Sequence, residues 1–289
     1  MAKSTNSAVI TGSTGGIGSE LCKILAAQGW NLVTLNRSLG KSAQQIAELK
    51  KSFPQQNFHS YSADLMELSS VASASKEINF QHPEVSALYN VAGILTDKRK
   101  MSAQGVESHF AINVLAPYLI TKQLRSSLAA ASGPTEDSVV VNFSSSAIKG
   151  VKELDVSKLL NPTEIGGLMG AYAKSKMAIT IAAEFLREEF AQDGIQIQTV
   201  DPGPTKTPMT GSDDGMPFLV RLLQPILFKS PEVQAQKLIT AVHSAVKARA
   251  TGTLISEGKQ KPLPPIVVDR DLQQELRTLL DQQIEPFSS

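Results

Sequence analysis

The sequence predicts an α/β fold, one doubly wound domain with a central parallel sheet and helices on both faces. Three observations carry that expectation. Short apolar runs alternate with amphipathic helical stretches along the whole chain of 289 residues. The first apolar run breaks sharply into glycines that open a helix. No internal repeat, low-complexity block or linker divides the chain.

Ser7–Thr11 reads as a short buried strand, ended by Gly12-Ser-Thr-Gly-Gly-Ile-Gly18, and a helix carrying Leu21, Ile24 and Leu25 runs on to a stop at Gly29. In that setting Gly12, Gly16 and Gly18 let the backbone turn tightly and approach a pyrophosphate held at the helix N-terminus. The alternative is a tight turn with no ligand. Cys22, inside this helix, reads as a small buried hydrophobe. Asn31–Leu35 is the second strand, leading into Asn36-Arg37-Ser38. In a nicotinamide site this strand end faces the adenosine ribose, where an arginine pairs with a 2′-phosphate and an acid repels it. Arg37, with Lys41 nearby, therefore favours NADP(H) over NAD(H); otherwise the two cations merely solvate a helix start.

Lys41 to Lys51 is an amphipathic helix, and Asn57 to Ser60 a strand ending near Asp64-Leu65. A helix leads to the apolar strand Val85–Val91, which closes on Ala92-Gly93. One long helix is expected from about Ser102 to Ala131, with Asn113 in an apolar run. Asparagine is a mediocre helix former, so it either faces a polar cavity or is a satisfied core amide. Ser138–Phe143 suits the centre of a parallel sheet and ends in Ser144-Ser145-Ser146, at the strand end where ligands of open α/β sheets bind. Residues 148–170 read as a polar insertion or loop. A helix from about Tyr172 to Asp193-Gly194, the strand Ile195–Val200 and the turn Asp201-Pro-Gly-Pro-Thr-Lys-Thr207 follow. Gly215 to Lys229 is apolar but broken by prolines. Pro231 to about Lys247 is a helix, Thr253–Ser256 a last strand, and a Pro-rich turn precedes a final helix near 271–283.

Composition narrows the function. A net charge of +1 offers no field for nucleic acid or anionic lipid. One cysteine excludes an internal disulfide, and His59, His82, His109 and His243 show no metal-ligand spacing. The N-terminus has no signal-peptide pattern and no apolar run approaches a membrane span, so a cytoplasmic location is expected.

Tyr172-Ala-Lys-Ser-Lys176 is the centre of the chemical reading. Four residues apart on a helix, a phenol and an ammonium share one face. A nearby cation lowers a phenol pKa from its usual value near ~10 and fits it to exchange a proton with an alcohol or carbonyl oxygen. Alone, the pair reads equally as a solvated surface contact.

With these residues assembled, the chain resembles the short-chain dehydrogenase/reductase family over nearly its whole length. Thr11-Gly-Ser-Thr-Gly-Gly-Ile-Gly18 is similar to that family's cofactor loop, and Asn90-Val-Ala-Gly93 to its Asn-Asn-Ala-Gly signature, departing at the second position. Val141-Asn-Phe-Ser-Ser145 resembles the strand delivering the catalytic serine, Tyr172 to Lys176 the Tyr-x-x-x-Lys element, and Pro202-Gly203 with Thr205 and Thr207 the loop that contacts the nicotinamide. Within the family, His109-Phe-Ala-Ile-Asn113, the long insertion before Tyr172 and the tail from Ser256 resemble the retinol dehydrogenase-like branch. The membrane-anchoring N-terminal segment common in animal members is lacking, which counts against a membrane location and retinoid substrates.

The resemblance implies one Rossmann domain with about seven strands, and hydride transfer between NADPH and the carbonyl or alcohol carbon of an apolar aldehyde, ketone or alcohol. Tyr172 would be the general acid and base, Ser145 the partner of the reacting oxygen, Lys176 the group that lowers the Tyr172 pKa and binds the ribose, and Asn113 the holder of a proton-relay water. Gly12, Ser13, Thr14, Gly16, Ile17, Gly18, Arg37, Asp64, Leu65, Asn90, Ala92, Gly93, Tyr172, Lys176, Pro202, Gly203, Thr205 and Thr207 would contact the cofactor. The apolar stretch 209–229 would form a lid over the substrate, with a core helix as the alternative, and a homodimer or homotetramer through the Tyr172 helix and its neighbour is expected, with no metal. A carbon–carbon double-bond reductase and a non-catalytic NADP-binding regulator remain alternatives.

Overall fold

In the computed structural model, residues 6–133, 137–207 and 228–288 are described. The strands are β1 (Ser7–Thr11), β2 (Asn31–Asn36), β3 (Phe58–Ser62), β4 (Ala87–Asn90), β5 (Ser138–Phe143), β6 (Ile195–Asp201), β7 (Thr253–Ser256) and β8 (Lys259–Pro262). They form one sheet in the order β3-β2-β1-β4-β5-β6-β7-β8, parallel throughout except for β8. The chain order reverses between β1 and β4, and the crevice at that switch point is where such sheets bind ligands.

The helices are α1 (Gly16–Ala27), α2 (Leu39–Ser52), α3 (Leu68–Gln81), α4 (Ser108–Phe110), α5 (Ala116–Gln123), α6 (Arg125–Ala131), α7 (Ala171–Phe190), α8 (Pro231–Lys247) and α9 (Arg270–Ile284). Strand residues alternate between two cores. Ala8, Ile10, Val139 and Val141 face Leu21 and Leu25 of α1 and Leu238 and Val242 of α8. Val9 and Val140 face the other layer, built from α3, α5, α7 and α9. Every residue of β4 and β5 is buried, as two-sided cover of a parallel sheet requires.

The sheet has eight strands where about seven are expected. The sequence between Thr253 and Pro265 hides a hairpin in which β8 pairs antiparallel with β7 across Glu257-Gly258. Both turn residues have positive φ, 50° and 82°, the twist a two-residue hairpin favours. β8 reads Lys-Gln-Lys-Pro and is exposed throughout, so no apolar period marks it. Lysines and a proline suit it to a sheet edge, where they resist further pairing.

The single helix expected from Ser102 to Ala131 is not formed. Residues 101–107 make a small turn, closed by Ser102 N–H to Val106 O at 2.8 Å and by a bridge between Met101 and Glu107. Helix begins only at Ser108, widens into a π-turn at Ala111–Leu115, continues as α5 and breaks again at Leu124 before α6. Pro117 explains the widening: it has no N–H to give the carbonyl of Asn113 four residues back. The insertion at 148–170 folds into three short 3₁₀ turns, with Leu154, Val156 and Leu159 buried in the core. The expected lid at 209–229 lies outside the described residues, save Phe228 and Lys229.

α7 carries the Tyr172 pair, and from Ser175 to Ala183 all of its residues are buried. α9 supplies part of that cover through Leu276, Leu280 and Ile284, each residue of this kind contributing about 1.5–3 kcal/mol when buried. Polar ties fix it there: Tyr118 Oη to Asp281 at 2.6 Å and Arg277 to Glu189 at 2.6 Å. The middle of the Tyr172 helix is therefore covered in part by α9 of the same chain.

Candidate active site

The glycine loop is shaped by close approaches that exclude a side chain. Gly12 has φ +66°, and a Cβ there would lie 2.9 Å from the Ala92 Cα; one on Gly18 would lie 2.4 Å from the Gly12 carbonyl oxygen. Thr11 Oγ1 accepts the Ala92 N–H at 3.1 Å, binding the end of β1 to the segment after β4. Gly15 precedes α1 and provides no side-chain cap, so the first N–H groups of the helix stay available to an anion. Thr14 and Gly16 are partly exposed beside this helix start, while Ile17 and Gly18 turn inward.

Asn36 proves to be internal. Its Oδ1 accepts Ser13 N–H at 2.8 Å, and its amide donates to Ser13 Oγ at 2.9 Å and Ser42 Oγ at 3.0 Å. Gln45 completes the lock by accepting from Ser13 Oγ at 2.7 Å. These bonds tie the glycine loop to α2 and leave Arg37, exposed at the end of β2, as the group facing outward. Asp64 uses Oδ1 to accept Met66 N–H at 3.0 Å, and Leu65 packs on the core.

At the middle strands Asn90 donates to Asn142 Oδ1 at 2.9 Å across the β4–β5 register and to Thr121 Oγ1 at 3.3 Å. Gly93 follows Ala92 toward Ile94, which Asn113 grips from both sides. Asn113 Oδ1 accepts Ile94 N–H at 2.9 Å, and Nδ2 donates to Ile94 O at 3.1 Å and to Ser175 Oγ at 3.0 Å. Both amide hydrogens are thus spent on protein. The main-chain carbonyl of Asn113 lies in the π-turn, and Pro117 four residues on has no N–H to give it.

Ser145, Tyr172 and Lys176 converge where β5 ends against the start of α7. The Ser145 hydroxyl accepts Ala147 N–H at 3.2 Å and lies close enough to the Tyr172 phenol to oppose the rise in its pKa. Lys176 Nζ donates to Phe143 O at 2.8 Å and sits 5.9 Å from the Tyr172 ring centre. With three N–H groups, the ammonium has capacity left for other acceptors. Tyr172 is only 8% exposed and Lys176 4%.

Burial governs both groups. It pushes the Tyr172 phenol above its ordinary value, with Asp201 adding to the rise and the Ser145 hydrogen bond opposing it. It pushes Lys176 down from 10.5 to about 8. The expected lowering of the Tyr172 pKa by Lys176 does not arise from the protein groups alone: burial raises it, and the ammonium is turned toward Phe143.

The loop after β6 closes the site. Asp201 Oδ1 accepts Gly203 N–H at 2.9 Å, Oδ2 accepts the Ser256 hydroxyl at 3.0 Å, and Gln234 donates to Pro202 O. Gly203 has φ +75°, and Thr205 donates to its carbonyl at 2.9 Å. Thr207 ends the described part of this loop. Cys22 lies buried in α1 with its thiol pushed up to about 12 by desolvation, so it offers no proton donor here.

Sequence reasoning passed over Thr11, Ser13's lock with Asn36 and Gln45, Asn142 and Ser175. None belongs to a periodic pattern; only Pro117, four residues after Asn113, signals a distorted helix from sequence.

Comparison with known proteins bears on the family and the fold. A family model described as short chain dehydrogenase matches residues 6–156 and 161–216. Human polyprenol dehydrogenase is 27% identical over 276 residues, covering 93% of this chain and 82% of that protein. Human retinol dehydrogenase 13 is 27% identical over 275 residues, covering 93% and 81%. Among solved structures, a short-chain dehydrogenase from Sphingobium yanoikuyae in complex with NADPH superposes with a TM-score of 0.67 at 16% identity, covering 97% of this chain and 95% of that one. An alcohol dehydrogenase from Thermococcus sibiricus complexed with 5-hydroxy-NADP gives 0.63 at 20% identity, covering 83% and 91%.

Proposed function

This chain belongs to the short chain dehydrogenase family, and from that premise we propose that it is an NADP(H)-dependent oxidoreductase acting on the carbonyl or alcohol carbon of an apolar aldehyde, ketone or alcohol. The observation that carries the reading is the buried meeting of Ser145, Tyr172 and Lys176 beside the glycine loop. The dinucleotide, when bound, supplies the hydride. The uncapped start of α1 at Gly16, Ile17 and Gly18 suits its pyrophosphate, and Arg37 suits a 2′-phosphate. Lys176, with unused N–H groups, suits the ribose hydroxyls.

Tyr172 gives its proton to the substrate oxygen as negative charge builds there, and Ser145 donates a hydrogen bond to the same oxygen. Lys176 supplies positive charge near the phenolate left behind. The Asn113 carbonyl, rather than its spent amide, holds the water that resupplies the proton through Lys176. Relatives named for polyprenol and retinol support a long apolar substrate. No helix among the described residues is long and apolar enough to cross a membrane. The buried middle of α7 argues against a dimer through that helix.

The test is NADPH consumption with a panel of apolar aldehydes and ketones, repeated with NADH and with Tyr172→Phe. Turnover with NADPH that is lost in the variant, while NADPH binding persists, is the expected result. Undiminished turnover by Tyr172→Phe overturns the assignment, and a preference for NADH overturns the role of Arg37.

A further inference from the structure

His109 and Asn113 stand one helical turn apart, and both reach the main chain of the segment after β4. Asn113 grips Ile94 through its N–H and its C=O. His109 Nε2 lies 3.2 Å from the Thr96 N–H. A backbone N–H can only donate, so Nε2 accepts and the ring proton sits on Nδ1. There it donates to Glu107 Oε1 at 3.0 Å. Glu107 is itself immobilised. It accepts His109 N–H at 2.9 Å and the Ser108 hydroxyl at 2.8 Å, and its own N–H donates to Leu160 O in the insertion at 2.7 Å. The two side chains are 0% and 1% exposed. A carboxylate is not buried so fully without work for its oxygens, and here the work is to orient one imidazole.

That imidazole touches the candidate site twice. Its ring meets the Tyr172 ring edge-on, with 6.2 Å between centroids and 73° between planes. Leu95, held between the anchored Ile94 and Thr96, packs in one cluster with Tyr172, Ala147 and Ala173. The pair is not a proton relay, because Nε2 is committed to Thr96 and Nδ1 to Glu107. We propose that Glu107 and His109 are positioning residues for Tyr172. Glu107 fixes the tautomer of His109, His109 fixes the Thr96 main chain, and ring and Leu95 together hold the phenol against Ser145. The consequence for turnover rests on the function proposed above; the clamp itself does not.

Two measurements test it. Nitrogen-15 NMR of histidine-labelled protein reads the tautomer of wild-type His109 directly, with the resonance assigned by its loss in His109→Phe. A protonated Nδ1 with a bare Nε2 is expected, and a protonated Nε2 overturns the proposal. His109→Phe keeps a ring beside Tyr172 but removes the acceptor. Hydrogen exchange at the Thr96 amide should rise at least about tenfold, and kcat should fall about tenfold to a hundredfold with KM for NADPH within about threefold, as a small misplacement of a reacting group produces. His109→Gln, which restores a side-chain acceptor, should recover part of both. Unchanged Thr96 exchange, or cofactor binding lost in step with kcat, overturns the clamp. A wild type that turns over no member of the panel, yet shows the Nδ1 tautomer and a protected Thr96, overturns the proposed function and supports the clamp.

Discussion

Replacing Lys176 by Met separates what this residue does for the fold from what it does for chemistry. Burial lowers its pKa from 10.5 to about 8. At about 1.4 kcal/mol per unit, keeping the ammonium inside the fold costs about 3 kcal/mol near neutrality. Against that stands the bond from Nζ to Phe143 O at 2.8 Å. Losing it leaves a buried carbonyl unpaired, at about 1–3 kcal/mol. The variant should therefore match wild type near pH 7 or exceed it by up to about 2 kcal/mol, although it loses its activity. The folded-state pKa lies below the unfolded one, so between about 8 and 10.5 the unfolded chain binds more protons and wild-type stability rises with pH. Met has no such slope. By pH 10 the difference should have moved in favour of wild type by about 2 kcal/mol. Urea unfolding of both proteins at the two pH values measures it, and the subtraction cancels every other titrating group. A difference that stays constant with pH, within about 0.5 kcal/mol, refutes the depressed ammonium.

Other consequences follow from single contacts. Gly12→Ala forces a left-handed backbone and a 2.9 Å contact with Ala92, so it should cost about 1–3 kcal/mol in urea unfolding and weaken NADPH binding in a fluorescence titration. Leu280→Ala removes a fully buried anchor of α9 and should destabilise by about 2–5 kcal/mol in the same unfolding assay. Cys22, buried and with its thiol raised to about 12, should resist a thiol reagent in the native protein and react once urea unfolds it.

Periodicity and turn chemistry act over short spans, and the sequence is legible wherever they suffice. β5, α8 and β7 have the limits the sequence predicts, because each is an apolar or amphipathic run with a clear stop on either side. The order of glycine loop, serine strand and Tyr172 helix also lies in the sequence, since each motif is contiguous. Tertiary structure decides what contiguous patterns cannot express. β8 is polar on every side and exists because β7 offers it a partner. The protonation behaviour of Tyr172 and Lys176 depends on how far the folded chain buries them, which their spacing of four residues does not encode. Asn36 and Asn113, polar residues with no periodic signature, take their roles from Ser13 and Ile94. Side-chain amides have no fixed partner until the chain folds, so sequence sets the elements and their motifs, while packing sets which polar atoms meet and which are shut away from solvent.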